Sequence, residues 1–341
     1  MIYLDAAAKT KPLPCAVDAF LSSPFGNPSS EHAVGQNARD AMEQAREKIA
    51  ALMDCEPEEI YFTATATEAA ALSMHSLDYV GVSVIPSVYE HHAVSENILH
   101  HGDAAFASAF MLAQNETGEC FFNPKTFRGC IYSVIDATAA VGHIPVSFKK
   151  LGCDYLLFDG IKFGSVPGSA VQIAKKGAPL SPLIRGGGQE RGMRSGTENV
   201  PAICAMAAAL EWQTQHMEEN TEKIISLSYR MIEKMDEIPN IRWNTPFDRP
   251  HLPHILNVSF DGVDAHALAL LLSKDGVMVS PGAACSNGLH EPSHVIMAMF
   301  HDEQRARSAV RISFSRENTV EEVKEAAEKI KNAVAHLRSL A

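Results

Sequence analysis

The stretch DYLLFDGIKFGSVPG, residues 154–168, places a single lysine in a tight turn behind an apolar run. Residues 155–158 are predicted to form a buried strand, a turn ends it, and residues 170–174 are predicted to form the next strand. Lys162 therefore falls between two core strands. An amine held there is partly desolvated, which favours the neutral, nucleophilic form that makes a Schiff base with a carbonyl group. A solvated surface lysine is the alternative, and only partner residues elsewhere can decide between the two.

The composition indicates a globular protein that handles small molecules or protein partners. With 341 residues, 46% of them hydrophobic and 21% charged, the chain has enough material for one large or two ordinary domains. Its formal net charge of −12 argues against a nucleic-acid surface, because lysine and arginine supply most of the affinity for phosphates.

The N-terminal residues and the cysteines indicate a soluble, unexported protein. The sequence MIYLDAAAKTK has no apolar leader, and no apolar run approaches the length of a bilayer span. The seven cysteines are odd in number and lack CxxC or Cys/His ligand spacing, which fits a reducing cytoplasm without structural zinc. We therefore predict a cytoplasmic protein with no membrane segment and no metal.

Several predicted strands end in polar residues directly before a helix or a turn. Residues 60–63 form a strand, and residues 64–67 lead from it into an alanine-rich helix whose unpaired N–H groups make an anion site, with a further hydroxyl from Thr67. Asp136 follows the predicted strand 131–135 and is a candidate partner for a buried cationic ring nitrogen, with a helix N-cap as the alternative. In an open parallel sheet such strand ends form one crevice, where ligands bind.

Two further motifs allow a functional and a structural interpretation. The segment GGGQERGMRSGTENV, residues 186–200, is interpreted as a mobile anion-binding loop or as a simple surface loop. The segment PGAACSNG, residues 281–288, surrounds Cys285 with small residues, so the thiol is either exposed and reactive or a small buried hydrophobe.

Prolines between residues 239 and 253 separate two α/β segments. Beyond them the pattern is strand, helix, strand, helix, strand and a long final helix. We predict an α/β protein with a large domain at residues 14–240 and a small domain, carrying the cysteine loop, at residues 1–13 and 241–341.

Ordered motifs along the whole chain resemble those of the cysteine desulfurases, which are pyridoxal 5'-phosphate (PLP) enzymes of the class V aminotransferase group. The matching segments are YLDAAA, FGNPSSEH, FTATATEA, EHHAV, MLAQNETG, DATAAVGHIPV, the lysine turn, GGGQERGMRSGTENV, AACSNGLHEPSHV and VRISFS. The resemblance implies the fold type I architecture, in which a large domain with a mainly parallel sheet flanked by helices is joined to a smaller C-terminal α/β domain.

The resemblance also assigns cofactor roles to individual residues. Lys162 matches the Schiff-base lysine, Asp136 the partner of the pyridine nitrogen, and His91 the ring that stacks on the cofactor. Ala66 and Thr67 match the phosphate contacts. A carboxylate at Asp136 would keep the ring nitrogen protonated, so that PLP acts as an electron sink.

Substrate and partner roles follow from the same resemblance. Arg311 matches the arginine that grips the substrate carboxylate, Asn115 the asparagine beside the ring hydroxyl and the substrate, and Cys285 the nucleophile. Thr197 matches a residue that reaches the phosphate of the other subunit's cofactor, which implies a homodimer with shared sites.

These matches predict conversion of L-cysteine to L-alanine, with a persulfide left on Cys285 for a sulfur-acceptor protein, as in iron–sulfur cluster biogenesis. A related PLP enzyme, such as a selenocysteine lyase or an aminotransferase, is one alternative. A binding or scaffold homologue that has lost efficient catalysis is another.

The chain departs from the family at the predicted cofactor site. Ala139 stands where the family has a glutamine or histidine, and Asp159 and Ile161 stand where it has a serine and a histidine. The stretches 92–111 and 118–135 also look shortened. Because hydrogen-bond donors are lost, we predict that PLP binds more weakly here than in an ordinary member of the family.

Overall fold

The computed structural model describes residues 1–99, 105–121, 129–282 and 291–340. Its strands are β1 Ile2–Tyr3, β2 Ile60–Thr63, β3 Ser83–Pro86, β4 Phe106–Met111, β5 Tyr132–Asp136, β6 Tyr155–Asp159, β7 Ala170–Ala174, β8 Ile241–Trp243, β9 Ile255–Phe260, β10 Val277–Met278, β11 Ser280–Pro281 and β12 Ala309–Ser313.

The α-helices are α1 Pro14–Ser22, α2 Ala33–Met53, α3 Ala66–Tyr79, α4 His92–Ser95, α5 Phe148–Leu151, α6 Val200–Gln215, α7 Met217–Met235, α8 Ala265–Lys274, α9 His294–Phe300, α10 Glu303–Arg307 and α11 Val320–Leu340. Within the described residues, no helix combines the length and the apolar character needed to cross a bilayer.

The chain divides into two compact units. The large unit comprises residues 11–112 and 121–216, and the small unit comprises Met1–Thr10, Ala113–Cys120 and the residues from Met217 onward. The predicted boundary at residue 240 therefore lies later than the observed one, because α7 packs with α11 in the core of the small unit through Ile224, Leu227, Met231 and Met235.

The segment Ala113–Cys120 also lies in the small unit, although the sequence analysis had placed it in the large domain. Its backbone explains the assignment. The side-chain amide of Asn257 donates to the carbonyl oxygen of Glu116 at 3.1 Å, and the N–H of Leu252 donates to that of Gly118 at 2.8 Å.

The large unit is built on a mainly parallel sheet, as predicted. Six described strands lie in the order β2-β7-β6-β5-β4-β3, and β7 alone among them runs against the others. The strands β5 and β6 are parallel neighbours, so residues that follow them emerge at the same edge of the sheet. Alanine, valine and leucine side chains from these strands and from α3 fill the core between sheet and helix.

The small unit packs helices on a short antiparallel sheet with the order β11-β12-β9-β8. In this sheet Arg311 on β12 pairs with Asn257 on β9 and with Ser280 on β11. The buried side chains include Phe260 and Phe314. Apolar residues of α7 and α11 recur every three or four positions, which is the spacing that places them on one helical face toward this sheet.

Element boundaries differ from the sequence predictions where caps and turns decide them. The sequence pattern predicts a strand at residues 110–113 and a helix at residues 291–300. The strand is observed at Phe106–Met111 and the helix begins at His294. The second shift has a visible cause, because the hydroxyl of Ser293 accepts the N–H of Ile296 and caps the helix. The sequence pattern also predicts helical structure from residue 201 to about residue 235, and this stretch contains two helices, α6 and α7.

Candidate active site

The turn between β6 and β7 presents Lys162 at the end of a one-turn 3₁₀ helix, Gly160–Lys162. Only glycine fits at the first position of this turn, because a Cβ on Gly160 would lie 2.7 Å from the Cβ of Ser165. Nε2 of His143 lies 3.1 Å from the carbonyl oxygen of Lys162. Burial lowers the pKa of His143 to about 4, so its ring is neutral and can donate to that oxygen.

Asp136 ends β5, the parallel neighbour of β6, and is 6% exposed. Its Oδ1 accepts the backbone N–H of Thr138 at 2.8 Å. The alternative interpretation as a helix N-cap is wrong, because a turn rather than a helix follows the strand. One carboxylate oxygen is thus used to close the turn, and among the described residues Oδ2 accepts no hydrogen bond.

Asp159 is the last residue of β6 and lies between these two groups and the start of α3. Its Oδ1 accepts the N–H of Ile161 and its Oδ2 accepts the N–H of Ala66, both at 3.1 Å. Burial raises its pKa against the opposing effect of those two bonds; the charge of Lys162 also lowers the pKa and that of Asp136 raises it. The three ionisable groups are therefore close enough to influence one another.

The N-terminus of α3 is the predicted phosphate site, and most of its first-turn donors are already used. The N–H of Ala66 donates to Asp159, and the N–H of Glu68 donates to the hydroxyl of Thr65 at 3.2 Å. Thr67 is exposed, and its hydroxyl makes no hydrogen bond with a described residue. Thr67 is therefore the donor that remains at this helix end.

His91 follows β3 and caps the short helix α4. Its Nδ1 accepts the N–H of Ala93 at 3.0 Å, which leaves Nε2 as the protonated nitrogen of a neutral ring. The preceding Glu90 is buried, and its Oε1 accepts the hydroxyl of Ser87 at 2.7 Å and the N–H of Met111 at 2.8 Å. Burial raises the pKa of Glu90 to about 8, and the negative charge of Asp136 adds to that rise.

The glycine-arginine loop is anchored to the sheet edge by its own charged residues. Glu190 receives two bonds from the buried Arg46, at 2.7 and 3.0 Å, and one from the N–H of Phe62 at 2.8 Å. Arg194 binds Glu68 on α3 at 2.7 Å. Of the two interpretations of this loop, the mobile anion-binding one is therefore not supported for Glu190 and Arg194, because both are engaged by the protein itself.

Thr197 lies further along the same loop and is exposed. It lines a cavity of ≈ 240 Å³ with Thr63, Ala64 and Arg194, at the segment that leads into α3. Glu198 lines this cavity too, and its Oε2 is buried without a hydrogen-bond partner among the described residues.

In the small unit, Arg311 is 3% exposed and is held by two groups. Its Nη1 donates to the carbonyl oxygen of Asn115 at 2.9 Å, and its Nη2 donates to Oδ1 of Asp5 at 2.8 Å. The Nε–H is buried and has no hydrogen-bond partner among the described residues. The guanidinium is therefore fixed in orientation and retains an unused donor.

Glu116 lies next to Asn115 and is fully enclosed in the small unit. Its Oε2 accepts the hydroxyl of Ser293 at 2.6 Å, and a Cβ on Gly282 would lie 2.8 Å from the same oxygen. Burial raises the pKa of Glu116 to about 7, against the lowering effects of Ser293 and of the charge of Arg311.

The structure thus distributes the predicted site residues over both units. The large unit contains Lys162, Asp136, His91, Ala66, Thr67 and Thr197, and the small unit contains Asn115 and Arg311. Cys285 lies outside the described residues. The buried Glu90 and Glu116 carry no signal of their own in the sequence, although they stand inside the motifs EHHAV and MLAQNETG.

Comparison with protein families identifies relatives along the whole chain. The model of the class V aminotransferases matches residues 2–120 and 103–325. A cysteine desulfurase of Gluconacetobacter diazotrophicus is 34% identical over 380 residues, covering 99% of this chain and 94% of the relative. The cysteine desulfurase IscS of Methanosarcina thermophila is 32% identical over 378 residues, covering 99% and 93%. Both alignments exceed the 341 residues of the chain, so each relative has residues without a counterpart here.

Solved structures give the same result for the fold. A NifS-like protein superimposes with a TM-score of 0.87 at 30% identity, covering 98% of this chain and 99% of that protein. A NifS-like protein from Rickettsia africae superimposes with a TM-score of 0.89 at 27% identity and the same coverage. The predicted α/β fold class is thereby confirmed.

Proposed function

Because the chain belongs to the class V aminotransferase family and to the cysteine desulfurases within it, we propose that it converts L-cysteine to L-alanine and passes the sulfur on as a persulfide, with PLP as its cofactor. The proposal draws on full-length relatives that carry the name cysteine desulfurase.

One structural observation carries the proposal. Asp136 and the turn with Lys162 leave two adjacent parallel strands at the same edge of the sheet, and their charges act on the same buried carboxyl, Asp159. This edge is where an open α/β sheet binds its ligands. A carboxylate and an amine at this place match the ends of a pyridine aldehyde, whose ring nitrogen and carbonyl carbon lie on opposite sides of one ring.

The residues present fit such a cofactor at its ring end. Lys162 would attach the aldehyde, the free Oδ2 of Asp136 would accept the ring N–H, and His91 would cover the ring face. When bound, PLP supplies an electron sink for bonds at the substrate's α and β carbons. Thr67 offers a donor to the phosphate, but the N–H of Ala66 is engaged by Asp159.

The substrate carboxylate is assigned to Arg311. Asp5 and the carbonyl oxygen of Asn115 hold its guanidinium plane, and the buried Nε–H needs an acceptor. A carboxylate binds a guanidinium with two parallel bonds, so a fixed plane also fixes the orientation of the amino acid. Asn115 would sit next to the bound substrate through its backbone contact with Arg311.

The sulfur step is assigned to Cys285. Its thiolate attacks the sulfur of cysteine, an S–S bond forms, the carbon–sulfur bond breaks, and the carbon takes a proton to give alanine. The product on the protein is a persulfide, which an acceptor protein can receive. Lys162, as an amine, is the group that would move protons at the substrate carbons.

Incubation of the purified full-length protein with L-cysteine, PLP and a reductant tests the function. Sulfide and alanine should appear in equal amounts. Lys162→Ala should release neither, whereas Lys175→Ala, which removes an exposed lysine paired with Asp154, should match the wild type. Release of a 2-oxo acid instead of alanine would favour the aminotransferase alternative.

Borohydride reduction followed by peptide mapping tests the cofactor site separately. A pyridoxyl adduct should be found on Lys162. Cys285→Ser should keep the adduct and lose sulfide release, since that cysteine acts only on sulfur. An adduct on another lysine would contradict the site.

We further propose a cytoplasmic homodimer that hands sulfur to an acceptor protein. The exposed Thr197 and the cavity behind it support an inter-subunit role for this loop, and the six cysteines in the described part of the chain are free thiols, which suits a reducing compartment. Sedimentation should give twice the mass of one chain. A tightly PLP-binding monomer would contradict the dimer.

A further inference from the structure

At the start of α3, a carboxylate of the protein itself, that of Asp159, already accepts a backbone N–H. Oδ2 of Asp159 accepts the N–H of Ala66 at 3.1 Å, which is the bond an incoming anion makes at a helix N-terminus. Asp159 is 5% exposed, so this carboxylate is enclosed rather than dispersed in solvent. Because the N–H of Glu68 is taken by Thr65, few donors remain for a second anion.

The same carboxylate cannot move away without a cost. Its Oδ1 accepts the N–H of Ile161 at 3.1 Å and thereby closes the turn that carries Lys162. Displacing Asp159 from Ala66 would leave a buried carboxylate with fewer donors and would loosen the lysine turn. Leaving it in place sets a negative charge beside any phosphate bound at α3.

We propose that Asp159 determines cofactor specificity by taking the phosphate's position at α3, so that the 5'-phosphate of PLP adds little to binding and unphosphorylated pyridoxal is bound nearly as well. This inference rests on the proposed function, since it presumes that the site takes a pyridoxal-type aldehyde. Lys162 and Asp136 act on the ring that both compounds share. Asp159 acts only on the part that differs.

The test is a titration of full-length apoprotein with PLP and, separately, with pyridoxal, followed by absorbance of the bound aldehyde. The measured quantity is the ratio of the two dissociation constants. In Asp159→Ser, a small donor replaces the competing carboxylate, so the preference for PLP over pyridoxal should rise by about tenfold to a hundredfold, since a hydrogen bond to a charged group is worth about 1.5–3 kcal/mol. Because the ratio is compared between variant and wild type, any difference in how the two free aldehydes behave in solution cancels.

Two further variants make the result specific. Asp159→Asn removes the charge and keeps one oxygen acceptor, for the N–H of either Ala66 or Ile161, so its ratio should lie between those of wild type and Asp159→Ser. Asp18→Ser makes the same substitution on an exposed face of α1 and should leave the ratio unchanged. Circular dichroism of each variant verifies folding, and Asp159→Asn carries the test if Asp159→Ser does not fold.

An unchanged or smaller preference for PLP in both Asp159 variants would overturn the inference while the proposed function stands. If the wild type prefers PLP over pyridoxal and Asp159→Ser does not increase this preference, the phosphate binds elsewhere. Failure of every variant to bind either aldehyde would overturn the proposed function, and this inference with it.

Discussion

The start of α3 in the large unit and the Arg311 guanidinium in the small unit are both places where the sequence predicts an anion, and in both a protein carboxylate is already bound. Asp159 binds Ala66 at the helix end, and Asp5 binds Arg311. The consequences differ because the number of donors differs. A guanidinium has five N–H donors, so Asp5 orients Arg311 and leaves others for the substrate. A helix end has four unpaired N–H groups. Here Asp159 takes that of Ala66, and Thr65 takes those of the residues at positions 68 and 69, so little remains for a phosphate.

A protein carboxylate bonded at a predicted anion site therefore does not by itself show that the site has lost the ability to bind a ligand anion. At Arg311 the buried Nε–H has no hydrogen-bond partner among the described residues, which is the mark of a site that awaits an acceptor. At α3 the exposed Thr67 is what remains.

Two buried carboxyls, one in each unit, should dominate the dependence of stability on pH. Burial raises the pKa of Glu90 in the large unit to about 8 and that of Glu116 in the small unit to about 7. A raised pKa in the folded state means that the contribution to stability is complete below the ordinary pKa and is lost as pH rises toward the folded pKa. Each such carboxyl contributes ~1.4 kcal/mol per pH unit over its range, so the free energy of unfolding should fall by several kcal/mol between pH 5 and pH 8.

The isosteric variants separate the two units in this measurement. Glu116→Gln should remove the part of the decline that ends near pH 7, and Glu90→Gln the part that continues to pH 8. Trp212 lies in the large unit and Trp243 in the small unit, so tryptophan fluorescence in single-tryptophan backgrounds reports on each. A decline that is the same in wild type and both variants would show that neither carboxyl is protonated in the folded state.

Removal of the planar fork at Arg311 should give the largest effect on catalysis. Arg311→Lys keeps a positive charge for Asp5 but loses two-point binding of the substrate carboxylate. We expect kcat/KM for cysteine to fall by about a hundredfold, mostly through KM, since one charged hydrogen bond is worth about 1.5–3 kcal/mol. Arg307→Lys, in a solvent-exposed pair with Glu303, is the matched control and should change kcat/KM little.

Asp5 should act as a positioning residue with a smaller effect. Asp5→Asn keeps an oxygen acceptor for Nη2 of Arg311 but removes the charge. KM should rise by about tenfold, or about 1.4 kcal/mol, while kcat stays within about threefold, because Arg311 loses orientation rather than its bond to the substrate. Asp5→Ala should raise KM more than Asp5→Asn does, because it removes the oxygen acceptor as well as the charge. A loss confined to kcat would instead place Asp5 in the chemical steps.

The features that depend only on neighbouring residues could be predicted from the sequence. The apolar runs gave the two strands that flank Lys162, and the polar residue after a strand gave Asp136, because strand ends in a parallel sheet meet at one edge. The start of α3 was also found from its local pattern. Each of these features needs only neighbouring residues.

The contacts that distinguish the start of α3 from Arg311 are long-range, and local sequence patterns do not predict them. Ala66 and Asp159 are 93 positions apart, and Asp5 and Arg311 are 306 apart. In the sequence, Asp159 differs from the family only as the replacement of a serine, whereas in the structure its carboxylate accepts the N–H groups of Ala66 and Ile161. The burial that raises the pKa of Glu90 and Glu116 likewise depends on packing from distant segments.

Restoring a histidine donor at position 161 should give the smallest effect, and its size depends on Asp159. In Ile161→His the imidazole adds a donor, but Asp159 still holds the N–H groups of residue 161 and Ala66. PLP affinity should therefore rise by less than about fivefold in Ile161→His, and by about tenfold when the same change is made on Asp159→Ser, because contacting residues are not additive. Pyridoxal affinity should stay constant in both backgrounds, since it lacks the phosphate. A full tenfold gain for PLP in the presence of Asp159 would show that this carboxylate does not compete with phosphate, and the start of α3 would then resemble Arg311, an occupied site that still accepts its anion.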